Sequence, residues 1–342
     1  VPGNTVVGDD IAYLKIMDGE VRAANVENGI FGIIRDVNPD DDPLIYKVLT
    51  TPREMIFSNI LVKDGEPYWL GMGEEVPEEG INYSGKWWDG KTDEDGNEIT
   101  PSHKNARYTI RISDLENSDE KYNAPEGVPV EGVVYGGRDS DTSVPVAETL
   151  NWSHGVLVGA CLESETTSAT LGKAGERKHN PMANLDFLAL PIGEYLQNHL
   201  DFGKRANNTP KVFGVNYFLK DDSGDYLNAI IDKKIWLQWM DRRINGEMDA
   251  LETPIGYIPK YEDLVDLFDK YLDKEYTEAD YEEQFAIRID NYIAKFQRMQ
   301  EIFADLSSIP EVFMNELKEQ QERLEELDNE IEGAVVSPFH FE

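Results

Sequence analysis

Up to about residue 260 the chain alternates short apolar runs with glycine, proline and acidic turns; beyond that point apolar residues recur at helical spacing. Val6-Val7 and the run Gly8 to Leu14 read as a buried strand whose carboxyl end carries the pair Asp9-Asp10. Gly19 to Arg22 reads as a hairpin turn. Between residues 44 and 110 the pattern predicts short antiparallel strands at Ile56–Val62, Pro67–Leu70 and Trp87-Trp88, with the tryptophans as packing residues. Tyr108–Ile112, Val128–Tyr135 and Lys211–Leu219 read as further strands, the second of them central. Asn184 to Leu200 spaces its apolar residues as an amphipathic helix interrupted near Pro191. In the tail, Thr277-x-x-Asp280 forms a capping box, with Tyr281, Phe285, Ile289, Ile293 and Phe296 along one face. Ser308-Ile309-Pro310-Glu311 starts a last helix, and this whole region reads as packing. The fold class is therefore α/β: a mixed β-sheet with packed helices and a helical carboxyl-terminal tail over about residues 261–333.

Composition bounds the class. The 342 residues, 40% hydrophobic and 10% aromatic, suffice for one large domain or two packed subdomains. No apolar run is long enough to span a bilayer, and Val1-Pro2-Gly3-Asn4, with neither a charged nor an apolar leader region, gives no expectation of secretion. The single cysteine, Cys161, cannot form an internal disulfide, which makes a reducing, cytoplasmic setting the expectation. With 67 acidic against 32 basic residues the formal charge is −35, so neither nucleic acid nor an anionic membrane is an expected partner.

Candidate chemistry sits where runs empty into turns. Val128–Tyr135 leads to Gly136-Gly137, which permit close approach of another backbone, and then to Arg138. An arginine beyond a strand's end can present a planar fork to a phosphate; a solvated arginine on a Gly-Gly turn fits the same residues. Asp9-Asp10 suit a hard cation, and equally a plain Asp-Asp turn. Asn105-Ala106-Arg107 precedes a strand and, on its own, reads as an ordinary basic loop. No Gly-x-x-x-x-Gly-Lys-[Ser/Thr] phosphate loop occurs in these residues.

Five words in one order change the picture: Val-Gly-Asp-Asp (7–10), Glu-Asn-Gly-Ile-Phe-Gly (27–32), Asn-Ala-Arg (105–107), Glu-Gly-Val-Pro with Gly-Gly-Arg (126–138), and Thr-Pro-Ile-Gly-Tyr-Ile-Pro-Lys (253–260). Over nearly the whole chain they resemble the carboxyl-terminal, nucleotide-binding part of GTP-dependent phosphoenolpyruvate carboxykinases. The resemblance implies a carboxykinase-like mononucleotide-binding domain over residues 1–342. Its reaction takes oxaloacetate and GTP to phosphoenolpyruvate, CO2 and GDP. It makes Asp10 a ligand of catalytic Mn2+, with Asp9 organising the Mg2+ or Mn2+ that accompanies GTP. Arg107 would bridge phosphoryl group and substrate carboxylate, Asn105 would hold CO2, and Arg138 would neutralise phosphoryl charge.

The same resemblance places Tyr217, Phe218 and Tyr226 around the guanine and makes residues 164–176 a mobile lid. Departures accompany it. Arg35-Asp36-Val37-Asn38 replaces a Pro-Gly-Thr-Ser run, Glu163 stands where the better-known members carry arginine, and Ile230 replaces an aromatic residue. The family's lysine and histidine metal ligands belong to an upstream segment, which becomes an expected partner. The alternative reading is an inactive fragment, or a nucleotide-binding subunit completed by a second polypeptide.

Overall fold

The alternating residues of the amino-terminal part form short antiparallel ladders in the computed structural model, which describes residues 3–166, 175–331 and 333–342. The chain divides into two compact units. One comprises residues 3–15 and Arg22–Pro129, the other Ile16–Val21 and Val130–Glu342.

The first unit holds most of the hairpin strands β1 (Ala12–Met17) and β2 (Glu20–Asn25), whose residues 16, 17, 20 and 21 fall in the other unit, and then β3 (Gly29–Ile33). Helix α1 (Pro43–Thr50) comes next, then β4 (Ile56–Ser58), β5 (Leu61–Lys63), β6 (Glu66–Tyr68), β7 (Glu79–Asn82) and β8 (Gly85–Trp88). Strands β9 (Arg107–Arg111) and β10 (Val128–Pro129) close the unit. The strands form three sheets, of orders β1-β2-β10, β3-β9-β4 and β6-β5-β7-β8. Tyr108 and Ile110 point from β9 into a core with Ile34, Val48, Leu49 and Trp69. Gly32 lies over Tyr108, where a Cβ would come within 2.4 Å of the ring.

Three expectations need correction here. Asp9-Asp10 precede β1 instead of ending a strand, and Tyr13, 68% exposed, lies on an open strand rather than a buried one. Residues 43–50 are helical: Leu44, Ile45, Val48 and Leu49 follow the helical period, with proline in the first turn where its missing N–H costs nothing. Of the two tryptophans only Trp87 is core; Trp88 is exposed, with Lys91 Nζ 5.2 Å from its ring centroid.

In the second unit β11 (Gly132–Gly136), β12 (Val146–Glu148) and helix α2 (Trp152–Ala160) precede a small hairpin of β13 (Glu163–Glu165) and β14 (Arg177–His179). Helix α3 (Ile192–Arg205), β15 (Lys211–Val215), α4 (Lys233–Ile244), β16 (Leu251–Thr253) and β17 (Gly256–Ile258) follow. The tail is α5 (Tyr261–Leu272), α6 (Glu278–Phe285), α7 (Ile289–Ala304) and α8 (Glu311–Glu330). The main sheet has order β11-β15-β12-β17-β16, parallel only between β11 and β15. So β11 is an edge strand, not a central one, and Val134 is 46% exposed. The run Val128–Tyr135 divides between β10 of one unit and β11 of the other.

Pro191 ends no helix; α3 begins after it and continues to Arg205, because proline fits a helix start and not its interior. The capping box forms: Thr277 Oγ1 accepts from Asp280 N at 3.1 Å and Asp280 Oδ2 from Thr277 N at 2.9 Å. Tyr281 and Ile289 do not share one helix, since α6 and α7 break at residues 286–288.

His154 joins α2 to α8. Its Nδ1 accepts from Leu150 N at 3.0 Å, and Nε2–H donates to Gln320 Oε1 at 2.9 Å. Burial, with Arg323 nearby, pulls the imidazole down to about 3. As pH falls below the ordinary histidine value, the unfolded chain takes up a proton that the folded one refuses. Stability is therefore full above about pH 6.5 and is lost at about 1.4 kcal/mol per unit on acidification. Unfolding free energies at about pH 7 and about pH 5 should differ by some 2 kcal/mol more in the parent than in His154→Gln. Equal acid sensitivity would show that another group carries the effect.

Candidate functional site

The eight candidate residues divide evenly between the two units: Asp9, Asp10, Asn105 and Arg107 in the first, Arg138, Tyr217, Phe218 and Tyr226 in the second.

In the first unit β9 sits between β3 and β4, so Arg107 lies opposite Ile33 on one side and Ser58 on the other. Its Nε–H donates to Asn105 Oδ1 at 2.9 Å, and its guanidinium carbon lies 5.1 Å from the Phe31 ring centroid. Asn105 is itself held by its backbone N–H, which donates to His103 Nδ1 at 3.0 Å; His103 packs edge-on against Tyr83. The Asn-Ala-Arg word is thus one hydrogen-bonded unit with the cation stacked on an aromatic face.

Phe31 links this unit to the acidic pair, because its N–H donates to Asp9 Oδ2 at 2.7 Å. Glu27 Oε2 accepts from Ile11 N at 2.9 Å. Partial burial, with repulsion from Asp10 and Glu27, pushes the Asp9 carboxyl up against the pull of the Phe31 N–H. That excess of negative charge is what a hard cation relieves, so the donor chemistry of Asp9 and Asp10 fits a divalent ion. Among the described residues, however, no three acidic, histidine or cysteine side chains are grouped to hold one.

In the second unit Arg138 follows β11. Gly137 is needed there for close approach: a Cβ on it would lie 2.3 Å from the Glu163 carbonyl oxygen. The N–H of Arg138 donates to Ser164 Oγ at 3.2 Å and its Nε–H to the Glu165 carbonyl at 2.5 Å, so the arginine is tied to β13. Asp139, buried, accepts from the N–H groups of Thr142 and Ser143 and from the Ser143 hydroxyl. Beneath this loop is a cavity of about 80 Å3, lined among others by Asp139, Glu163, Asn216, Tyr292 and Lys295.

The aromatic residues part company. Phe218 and Tyr226 meet edge to face, centroids 6.0 Å apart, and Lys220 Nζ lies 5.0 Å over the exposed Tyr226 ring. Tyr217 packs against the core cluster instead. Ile230 is 85% exposed. Of the lid, residues 164–166 and 175–176 flank or belong to the β13–β14 hairpin, and residues 167–174 lie outside the described residues.

Several side chains escaped the sequence reading. Glu163, named above for its identity alone, is buried and accepts from Arg298 of α7 at 2.8 Å, a partner the sequence did not indicate. From the same helix Asn291 Nδ2 donates to the Asp141 carbonyl, and Lys295 lines the cavity. The tail thus packs with polar contacts as well as apolar ones. Arg177 was missed as well. No periodicity marks it, and its partners are distant in sequence.

The family model described as phosphoenolpyruvate carboxykinase C-terminal P-loop domain matches residues 1–323, and the chain belongs to the GTP-dependent phosphoenolpyruvate carboxykinase family. It is 53% identical over 344 residues to the phosphoenolpyruvate carboxykinase [GTP] of Thermococcus kodakarensis, covering all of this chain and 55% of that protein. The protein of the same name from Pyrococcus horikoshii matches with the same identity and coverage. That of Saccharolobus solfataricus is 44% identical over 339 residues, covering 98% of this chain and 55% of its own length. The chain thus spans about half the length of the curated relatives it matches. Among the described residues no helix is long and apolar enough to cross a membrane.

Proposed function

We propose that residues 1–342 carry the nucleotide and substrate machinery of a cytoplasmic, gluconeogenic GTP-dependent carboxykinase that converts oxaloacetate and GTP to phosphoenolpyruvate, CO2 and GDP. The observation that carries this reading is the match to proteins of that name over the whole chain. Loss of CO2 leaves the electron pair of the broken C–C bond on an enolate. The enolate oxygen bonds to the γ-phosphorus of GTP as the bond to the GDP oxygen breaks. Arg107, stacked on Phe31 and fixed by Asn105, offers its terminal nitrogens to phosphoryl oxygen and carboxylate. The Asn105 amide orients the one-carbon fragment, and Arg138 offsets phosphoryl charge. Phe218 and Tyr226 bound the guanine, with Tyr217 supporting them from the core side. Asp10 and Asp9 would hold the cations, Mn2+ for the substrate and Mg2+ or Mn2+ for the nucleotide, which supply charge neutralisation when bound.

The test is a chimera in which residues 1–342 replace the 344 matching residues of the Thermococcus kodakarensis relative. Turnover within the common enzyme range of about 1–1,000 per second is expected, and GTP should compete better than ATP. Residues 1–342 alone, which contain no phosphate-loop word, should form no phosphoenolpyruvate. A folded but inert chimera would overturn the reading, and an ATP preference would overturn the guanine assignment.

A further inference from the structure

Arg177 opens β14 directly across from Glu165 of β13. Its Nη2 donates to three carboxylates at once: Asp141 at 2.7 Å, Asp139 at 3.1 Å and Glu165 at 3.1 Å. These are the side chains that shape the loop behind Arg138. Asp139 gathers the N–H groups of Thr142 and Ser143, and Glu165 Oε1 accepts both the N–H and the hydroxyl of Ser140. The main chain of Glu165 meanwhile holds Arg138 from two sides. Its carbonyl takes the Nε–H, and its N–H donates to the Arg138 carbonyl at 2.8 Å. One guanidinium therefore compensates the negative charge on both segments that hold Arg138. Without it the three carboxylates would repel one another, with Lys295 facing Asp139 and Arg288 near Asp139 and Asp141 as the cations left. Breaking such a part-buried set by removing the cation is costly, because the charges left behind stay desolvated.

We propose that Arg177 is the positioning residue of Arg138: by tying Asp139 and Asp141 of the loop to Glu165 of β13, it fixes the direction in which the phosphoryl-binding arginine points. Arg177 itself does not touch the nucleotide. The role rests on the reading of Arg138 given above, and adds to it a residue that no sequence word contains.

Hydrogen exchange on residues 1–342 and nucleotide binding by the chimera test this together. In Arg177→Gln the amides of residues 138–143 and of Glu165 should exchange at least about tenfold faster, with those of β15 unchanged and Arg177→Lys intermediate. The chimera's Kd for GTP should rise about tenfold, with KM for oxaloacetate unmoved. In an Arg138→Ala background the same substitution should add nothing, because the two act in series. Unchanged exchange, exchange raised uniformly through the unit, or additive losses would each overturn the proposal. If Arg138→Ala alone leaves GTP binding intact, the phosphoryl role of Arg138 fails and the positioning role with it; the exchange pattern then reports separately whether Arg177 holds the loop.

Discussion

Arg107→Lys in the chimera is expected to lower kcat/KM at least thirtyfold, about 2 kcal/mol of transition-state stabilisation, although the charge is kept. The reason is geometric. The Nε–H of Arg107 is committed to Asn105 and its face to Phe31, so the plane of the guanidinium is set before any ligand arrives. A lysine ammonium in that place is a point charge on a flexible stem. It can meet one oxygen but not bridge two, and it gives Asn105 no planar partner. Steady-state kinetics beside circular dichroism of the folded variant is the measurement. A variant with unchanged kcat/KM removes Arg107 from the chemistry and leaves it as a structural cation at the start of β9.

Glu148→Gln is expected to cost about 3–5 kcal/mol of unfolding free energy, among the largest single-residue losses in the chain. Glu148 lies in β12 inside the main sheet, 4% exposed, and is bound by two cations. One oxygen accepts from Lys211 of β15, and the other from Arg243 Nε of α4 at 2.7 Å. Glutamine keeps the shape but leaves two partly buried cations facing a neutral amide, and desolvated charge without a counter-charge is the expensive case. Urea titration of parent and variant gives the number. A loss below about 1 kcal/mol would place the network with surface ion pairs, whose contribution is small.

Local features of this fold were legible in the sequence and relational ones were not. The capping box at Thr277, the start of α8 after Pro310 and the glycine at position 137 follow from the chemistry of adjacent residues, and each forms. The helix at 43–50 was legible too, through its spacing, but β-branched and acidic neighbours gave the region the look of strands and turns. The edge position of β11 was not legible, because partner order in a sheet is a property of topology and the same valine-rich run serves an edge or a centre. Nor could Glu163 be understood from its surroundings, with its cation 135 residues away on α7. At the candidate site the words gave the residue types. They did not give the stacking of Arg107 on Phe31, or the N–H of that same Phe31 on Asp9.

Among the described residues, every buried carboxylate lies beside a cation: Asp139 with Arg177, Glu148 with Lys211 and Arg243, Glu163 with Arg298, Asp232 with Lys274, and Glu316 with Arg323. The surplus behind the formal charge of −35 therefore resides in the outer layer. The molecule behaves as a compensated interior inside a polyanionic shell. At physiological ionic strength the Debye length is about 8 Å, so added salt relaxes the repulsion within that shell while barely reaching the inner pairs. Ionic strength thus acts as a control on the outside of the protein alone.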